Sequence, residues 1–483
     1  MRRICLVLRD ACSSSVMLLA TVVLSVSSVR ARTCTVTPQS DFRDSLAFLA
    51  CEDTLILSPG YYSIDDNLPL IHVMPEQAGI TITGSQDSPA VLDGIMNQRP
   101  VILLEGEGFE PTRVENLIVT GGNASGEWYA GGGAFLSETF AVLQDCCFCD
   151  NAAIVGGGLA MESGTAEIKR CTFLSDSAVA TGGAINVYAG NLVLEDSRLI
   201  GNTSSDDGGS LNSYQGDLII RNVLMHGNFS GDDGGGMMVF QGSHTFEYMT
   251  IDSNTCLDDG AGFLLSLVDT VTVRSCIVTS NIGSYGMQAK GSAAAYLEYC
   301  CAWNNELGNY GGHLIDQTGL NGNISSNPLF ADSLYRLSQT DAGQSVQSPC
   351  VDAGHEIAFT SCIEGYSTRT DSLADHLQAD IGYHQPFDRD SVNTGNEEIP
   401  VGMEIYPNPC QESLFIRVPS SGAEVSVSVF DICGRLLWKG GGTPMEGIWS
   451  GMWTPDEAVT PGLLLIVART ETAVLTGKAV MVK

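Results

Sequence analysis

The chain has 483 residues, and its 56 Asp and Glu outweigh 23 Lys and Arg to leave a formal net charge of -33. Such a balance excludes a general nucleic-acid binder, which needs Lys and Arg against phosphate. It suits an exported acidic protein able to attract divalent cations, and the length leaves room for more than one domain.

Residues 1–31 read as an export signal. Arg2, Arg3 and Arg9 precede an apolar run from Val16 to Val26, and Val29-Arg30-Ala31 offers a small-residue cleavage site. No later apolar run is long enough to span a bilayer. Fourteen of the 16 cysteines follow this segment, as expected of an oxidising compartment. Cys34 with Cys51, Cys350 with Cys362, and Cys410 with Cys433 are candidate local disulfides, although spacing does not fix connectivity. Stacked Cys146/Cys171 and Cys276/Cys301 are expected to stay thiols in an apolar ladder. No zinc-type Cys or His spacing occurs.

Residues 32–130 form the expected N-terminal cap and first irregular coils. A short helix is expected over Phe42–Cys51 with Asp41 as its N-cap, strands over Thr54–Leu57 and Gly79–Gly84, and an irregular coil at Asn116–Gly122 just before the regular ones. From 131 to 330 one pattern returns every 25 to 27 residues: glycines, a short alternating strand, a Gly turn, and an Asn or Asp at the close. Ala134, Leu159, Ile185, Leu211, Met237 and Phe263 share one register. Cys146, Cys171, Ser197, Val223, Met249 and Cys276 share a second, and Phe148, Phe173, Leu199, Met225, Ile251 and Val278 a third. Asn151, Asp176, Asn202, Asn228, Asn254 and Asn281 complete the set. A period of this size with three short strands predicts a solenoid. The alternation of inward Leu192 and Leu194 with outward Glu195, then Asp196 at a corner, selects a right-handed parallel β-helix over a leucine-rich repeat.

Residues 331–387 break the pattern and are expected to cap the last coil. Residues 388–400 are polar and read as a linker. In residues 401–483, short alternating strands between turn signals predict a small β-sandwich, so the fold class is all-β throughout.

Two resemblances follow from particular residues. Ile405-Tyr-Pro-Asn-Pro409, Asp431 with Gly434-Arg435, Pro461-Gly462 and the final Gly477–Lys483 occur in the order found in the type A sorting domain of the type IX secretion system, which this unit resembles. The resemblance implies the type IX machinery as a partner, passage through an outer membrane and attachment to the cell surface. Cys410 and Cys433 are not part of that pattern. Thr181-Gly-Gly-Ala-Ile185 and Phe148-Cys-Asp-Asn151 resemble the repeats of polymorphic outer-membrane proteins within the pectin-lyase-like superfamily, while Phe173-Leu-Ser-Asp176 departs by Asp for Asn. That fold hosts lyases, hydrolases and adhesins, so it implies no single activity.

Three outward columns are expected on the coils. Asp206, Asp207, Asp232, Asp233, Asp258 and Asp259 recur at intervals of 26 and would stack six carboxylates on one edge. Calcium is the cofactor such an edge points to, against a solvated acidic loop chosen for turn geometry. Tyr188, Tyr214 and Phe240 recur at the same interval beside Asn186, Asn212, Gln215 and Gln241. They are candidate glycan-binding residues, against an aromatic ladder that binds nothing. Lys169, Glu195, Arg221, Glu247 and Arg274 alternate in sign and read as structural.

Because every surface feature repeats instead of breaking the pattern once, the sequence reads as a secreted, surface-attached adhesin or glycan-binding rod without catalysis. Extracellular polysaccharide or a neighbouring cell surface would be its partner. The alternative is a polysaccharide lyase or glycoside hydrolase. Gly231-Asp-Asp233 superficially matches the hydrolases, but their other elements are missing, and a lyase would need a Lys or Arg over the acidic edge, whose own loop has none.

Overall fold

The computed structural model describes residues 31–385 except 67, 86–89, 96, 97, 107, 127, 128, 356, 357, 359, 360, 376 and 377, together with seven strands between 404 and 481. Residues 1–30 of the expected export signal, the linker, and Cys410 and Cys433 lie outside the described residues. No described helix is long and apolar enough to cross a membrane.

Residues 33–312 wind into a right-handed parallel β-helix of about ten coils. Sheet B holds ten strands, from Gly60–Tyr62 to Cys301–Trp303, all paired in parallel. At about 4.8 Å per coil the stack is on the order of 50 Å long. Sheet A carries two strand columns per coil, such as Ile185–Tyr188 and Asn191–Glu195. In two coils they merge into the eleven-residue strands Ala134–Gln144 and Leu159–Lys169. A narrow sheet C closes the coil with two-residue strands such as Thr203–Ser204.

The expected registers are the observed ones. Ala134, Leu159, Ile185, Leu211, Met237 and Phe263 are successive Cα partners. Phe148 stacks on Phe173 with ring centroids 4.9 Å apart in the core. The corner ladder is a chain of amide bonds. Asn202 N donates to Asn228 Oδ1 at 2.9 Å, while Asn202 Nδ2 bonds Asn228 Oδ1 at 3.0 Å and Phe173 O at 3.2 Å. These bonds satisfy backbone groups that a bare turn would bury unpaired. Between sheets A and B each coil turns through one residue with positive φ, including Asp196 (52°), Asn222 (51°), Tyr248 (54°) and Ser275 (50°). Asp and Asn tolerate that conformation better than most residues.

One stacking expectation fails. Cys276 pairs inside the core with Cys300, and Cys301 faces outward. The coil is short there: Arg274 partners Glu298, a step of 24 residues in place of 26. Among the cysteines expected to pair, Cys34 is partly buried against the core and Cys51 lies at the surface. Cys350 packs against Cys301, whereas Cys362 lies beside Glu247 and Arg221.

At the N-terminal end the helix Phe42–Ala47 is capped by Asp41, whose side chain accepts from Asp44 N. Phe42 packs edge-on to Tyr62 and closes the first coils. The expected cap at the other end is not where the sequence placed it. Residues 330–385 turn back along the outer face of sheet B as a strap. Tyr383 N donates to Thr250 Oγ1 at 2.9 Å, Gly382 N to Ser275 O at 2.8 Å, and Tyr366 OH to Asp196 Oδ2 at 2.9 Å. Leu337, Cys350 and Ile381 bury Ile277 and Cys301, and Ala358, Ile363 and Ala379 bury Tyr248. The outer positions of sheet B become apolar in these coils, and the strap removes that surface from water.

The C-terminal strands form a three-stranded and a four-stranded antiparallel sheet. Ile416, Val418 and Trp453 of one face Val427, Val429 and Ile466 of the other in a shared core, which makes the expected small sandwich.

Candidate functional site

The outward positions of sheet A build a groove. Tyr188, Tyr214 and Phe240 end the strands Ile185–Tyr188, Leu211–Tyr214 and Met237–Phe240 and are successive Cα partners. Their rings are parallel within 2°, with centroids 5.5 and 4.9 Å apart. Coplanar side-by-side rings would interpenetrate at that separation, so the ring faces turn towards one another and the edges face outward. Tyr214, 39% exposed, thus has an aromatic ring on each face. A sugar has no open face of Tyr214 to stack on, and the column meets a ligand edge-on.

Two positions earlier on the same strands, Asn186 and Asn212 are almost fully buried and bonded to each other at 2.9 Å, with Thr181 Oγ1 on Asn186 Oδ1 at 2.8 Å. Gln215 Nε2 bonds Gln241 Oε1 at 3.0 Å on the exposed rim. All seven candidate residues therefore fall together beside the strip, although the four amides are already paired among themselves.

The acidic edge adjoins this strip. A groove of about 790 Å³ is lined by Tyr188, Tyr214, Phe240, Asn186 and Asn212, and also by Asp207, Asp233, Glu162 and Lys290. The second Asp of each pair turns inward and is tied to the next coil. Asp207 Oδ1 accepts from Asp233 N at 3.3 Å and Asp233 Oδ1 from Asp259 N at 2.9 Å. Asp206, Asp232 and Asp258 stay exposed. Carboxylate oxygens of Asp206, Asp207 and Asp232 lie within 4.8 Å of one another, as do those of Asp232, Asp233 and Asp258. An oxygen-only donor set of this kind fits a hard divalent cation.

Electrostatics separate the inward carboxyls. Burial, with Asp206 alongside, pushes Asp207 up to about 6. Asp233 is raised, chiefly by burial. Asp259 is pushed up by burial too, but bonds from Lys290 and Gln288 outweigh this and hold it below the ordinary range.

Lys290 is the residue the repeat did not reveal. It ends the strand Tyr285–Lys290, places Nζ 3.2 Å from Asp233 Oδ2 and also pairs with Asp259. Gln288 of the same strand bonds Asp259 Oδ1 at 2.7 Å and accepts from Gly260 N at 2.9 Å. Lys290 partners Ser266, which partners Phe240, so it stands in the aromatic column. The step from Ser266 is 24 residues, and a fixed interval of 26 passes over it. Burial opposes the charge of Lys290, but its two carboxylate partners outweigh that and hold the amine protonated.

The alternating column sits on the other strand column of sheet A, as expected. Arg221 reaches Glu195 at 3.3 Å and Glu247 at 3.1 Å, and Arg274 reaches Glu298 at 3.1 Å. Partly exposed pairs of this kind each contribute at most about 1 kcal/mol.

Comparison with known proteins gives one family match and one structural likeness. A family model described as a right-handed β-helix region matches residues 157–330. Among solved structures, the crystal structure of pectate lyase Pel9A aligns over 72% of this chain and 96% of that chain, at 15% identity and a TM-score of 0.41. No curated protein matches the sequence.

Proposed function

We propose that the protein binds an extended polysaccharide along the outer face of sheet A, as a secreted, surface-attached rod without catalysis. The observation that carries this reading is the groove itself, which runs past seven coils from Phe135 to Lys290, roughly 30 Å at the coil spacing. The outward column along it carries Glu162, Tyr188, Tyr214, Phe240, Ser266 and Lys290 in successive coils, so a linear polymer meets three aromatic edges flanked by charged and polar side chains. Export and surface attachment are supported by the signal-like residues 1–31 and by the sorting-domain motifs of residues 401–483.

A lyase is the second reading, and Lys290 is the observation that favours it. The groove brings an amine onto the carboxylates that would hold calcium, an arrangement the acidic loop by itself lacks. Binding stays the first reading because Lys290 is ion-paired with Asp233 and Asp259 in the groove.

The test uses the full chain with neutral and acidic polysaccharides, with and without calcium. Binding is followed by calorimetry and chemistry by unsaturated-uronate absorbance and new reducing ends. Saturable binding without product is the expected result. Product from any polymer establishes the lyase or hydrolase instead, and the absence of both binding and product removes the groove as a glycan site.

A further inference from the structure

Cys301 and Cys350 come from separate parts of the chain and meet where the strap lies on sheet B. Both are fully buried, in one small apolar cluster with Ile277, Leu337 and Ile381. Cys301 opens the strand Cys301–Trp303 with its side chain outward, while Cys350 is held by Ile381 N on its carbonyl at 2.8 Å and by its own N on Ser348 Oγ at 3.1 Å. The two side chains are packed into the same cluster from opposite sides, one from the coil and one from the strap.

The remaining buried thiol pairs differ in kind. Cys146 and Cys171 sit on adjacent parallel coils, as do Cys276 and Cys300, and the coil spacing is wide for a disulfide, whose Cβ atoms want about 3.8 Å. Donation to a backbone carbonyl does not tell the pairs apart, since Cys146 reaches Gln144 O at 3.3 Å, Cys276 reaches Arg274 O at 3.2 Å and Cys301 reaches Ser326 O at 3.2 Å. The difference is that the spacing between Cys301 and Cys350 is not set by the coil repeat, because the strap is not a rung of the ladder.

We infer that Cys301 and Cys350 form a disulfide in the mature protein and fasten the strap covalently to the penultimate stretch of the helix. The step is thiol–disulfide exchange. An oxidant disulfide accepts the two electrons and two protons of the thiols and leaves as two thiols, and a sulfur–sulfur bond joins residues 301 and 350. The link closes the loop that carries Tyr335 and the Arg336–Asp332 pair, and so holds the strap on the apolar outer face of sheet B. It does not depend on what the groove binds; it needs only an oxidising environment.

The test is peptide mapping of the full chain after equilibration with oxidised glutathione, with free thiols alkylated under denaturing conditions. A linked peptide pair containing Cys301 and Cys350 is expected, with Cys146, Cys171, Cys276 and Cys300 alkylated. Reduction, or Cys350→Ser, is expected to lower the Tm by several degrees and to speed proteolysis within 330–385, while Cys362→Ser does neither. Alkylation of Cys301 and Cys350 in the oxidised protein overturns the inference, as does a link from Cys350 to any other cysteine.

Discussion

Asn222 and His384, 162 residues apart, exchange two hydrogen bonds: His384 N donates to Asn222 Oδ1 at 2.7 Å, and Asn222 Nδ2 to His384 O at 3.0 Å. Asn222 is the left-handed corner residue of its coil, so one side chain both suits the turn and receives the end of the strap. Asp196 does the same for Tyr366, and Ser275 Oγ accepts from His355 N at 2.9 Å. The corner column is therefore the line along which the strap is fastened.

Asn222→Ala is expected to cost about 2–4 kcal/mol, combining the loss of three buried bonds, to Asp196 Oδ1 and to His384 N and O, with the poorer tolerance of Ala for left-handed backbone. Asn222→Gly removes only the bonds and should cost less. Denaturant unfolding ranks the two variants, and limited proteolysis within 378–385 should be faster in both.

Asp176 is the one carboxyl in the buried ladder, and Oδ2 has no partner. Burial raises it well above the carboxylate range. Its neighbours use Nδ2 to reach a carbonyl, as Asn202 reaches Phe173 O. Asp176→Asn should restore that bond and stabilise by about 1–3 kcal/mol at pH 7. Because the folded state keeps a proton that the unfolded chain releases, wild-type stability should fall as pH rises above about 4. The Tm of Asp176→Asn should be flatter with pH, and equal slopes would contradict the assignment.

Asp207, raised to about 6, makes a second contribution of the same sign. Its folded pKa lies above the unfolded value, so stability is present at low pH and lost between about 4 and 6. Asp207→Asn is expected to gain about 1 kcal/mol at pH 7 after allowance for solvent screening, and nothing at pH 3.5. Calcium titrated into the wild type at pH 7 should raise the Tm, and by less in this variant, if the acidic edge holds the ion.

His226 works in the same sense, but at higher pH. Its Nδ1 lies 3.2 Å from Asp252 Oδ2, which also accepts from Tyr335 OH at 2.7 Å, and the Asp252 bond raises the imidazole above its ordinary value despite burial. The contribution is full below the unfolded pKa near 6.5 and disappears as pH rises through the higher folded value. The strap should therefore be held more firmly at pH 6 than at pH 8, read by hydrogen exchange around Tyr335. His226→Gln should abolish the difference.

The coil was legible in the sequence because a parallel solenoid converts interval into contact. Ile185, Leu211 and Met237 stack since each coil repeats the last, and the amide ladder, the charge column and the aromatic strip follow from the same arithmetic. The rule fails where the interval changes. Steps of 24 residues moved Cys300 into the place expected for Cys301 and concealed Lys290, whose position is visible only once Ser266 and Lys290 are paired.

What the sequence determined by itself is the local and periodic part: an acidic β-helix, its inward registers, its outward columns and a separate sandwich at the end. Only the tertiary structure decided how the strap lies, which cysteines meet, that the aromatic rings face one another, and that an amine from a later coil sits on the acidic edge. These are contacts between segments with no common period, chosen by apolar burial, charge pairing and hydrogen-bond satisfaction across the assembled surface, and no spacing along the chain encodes them.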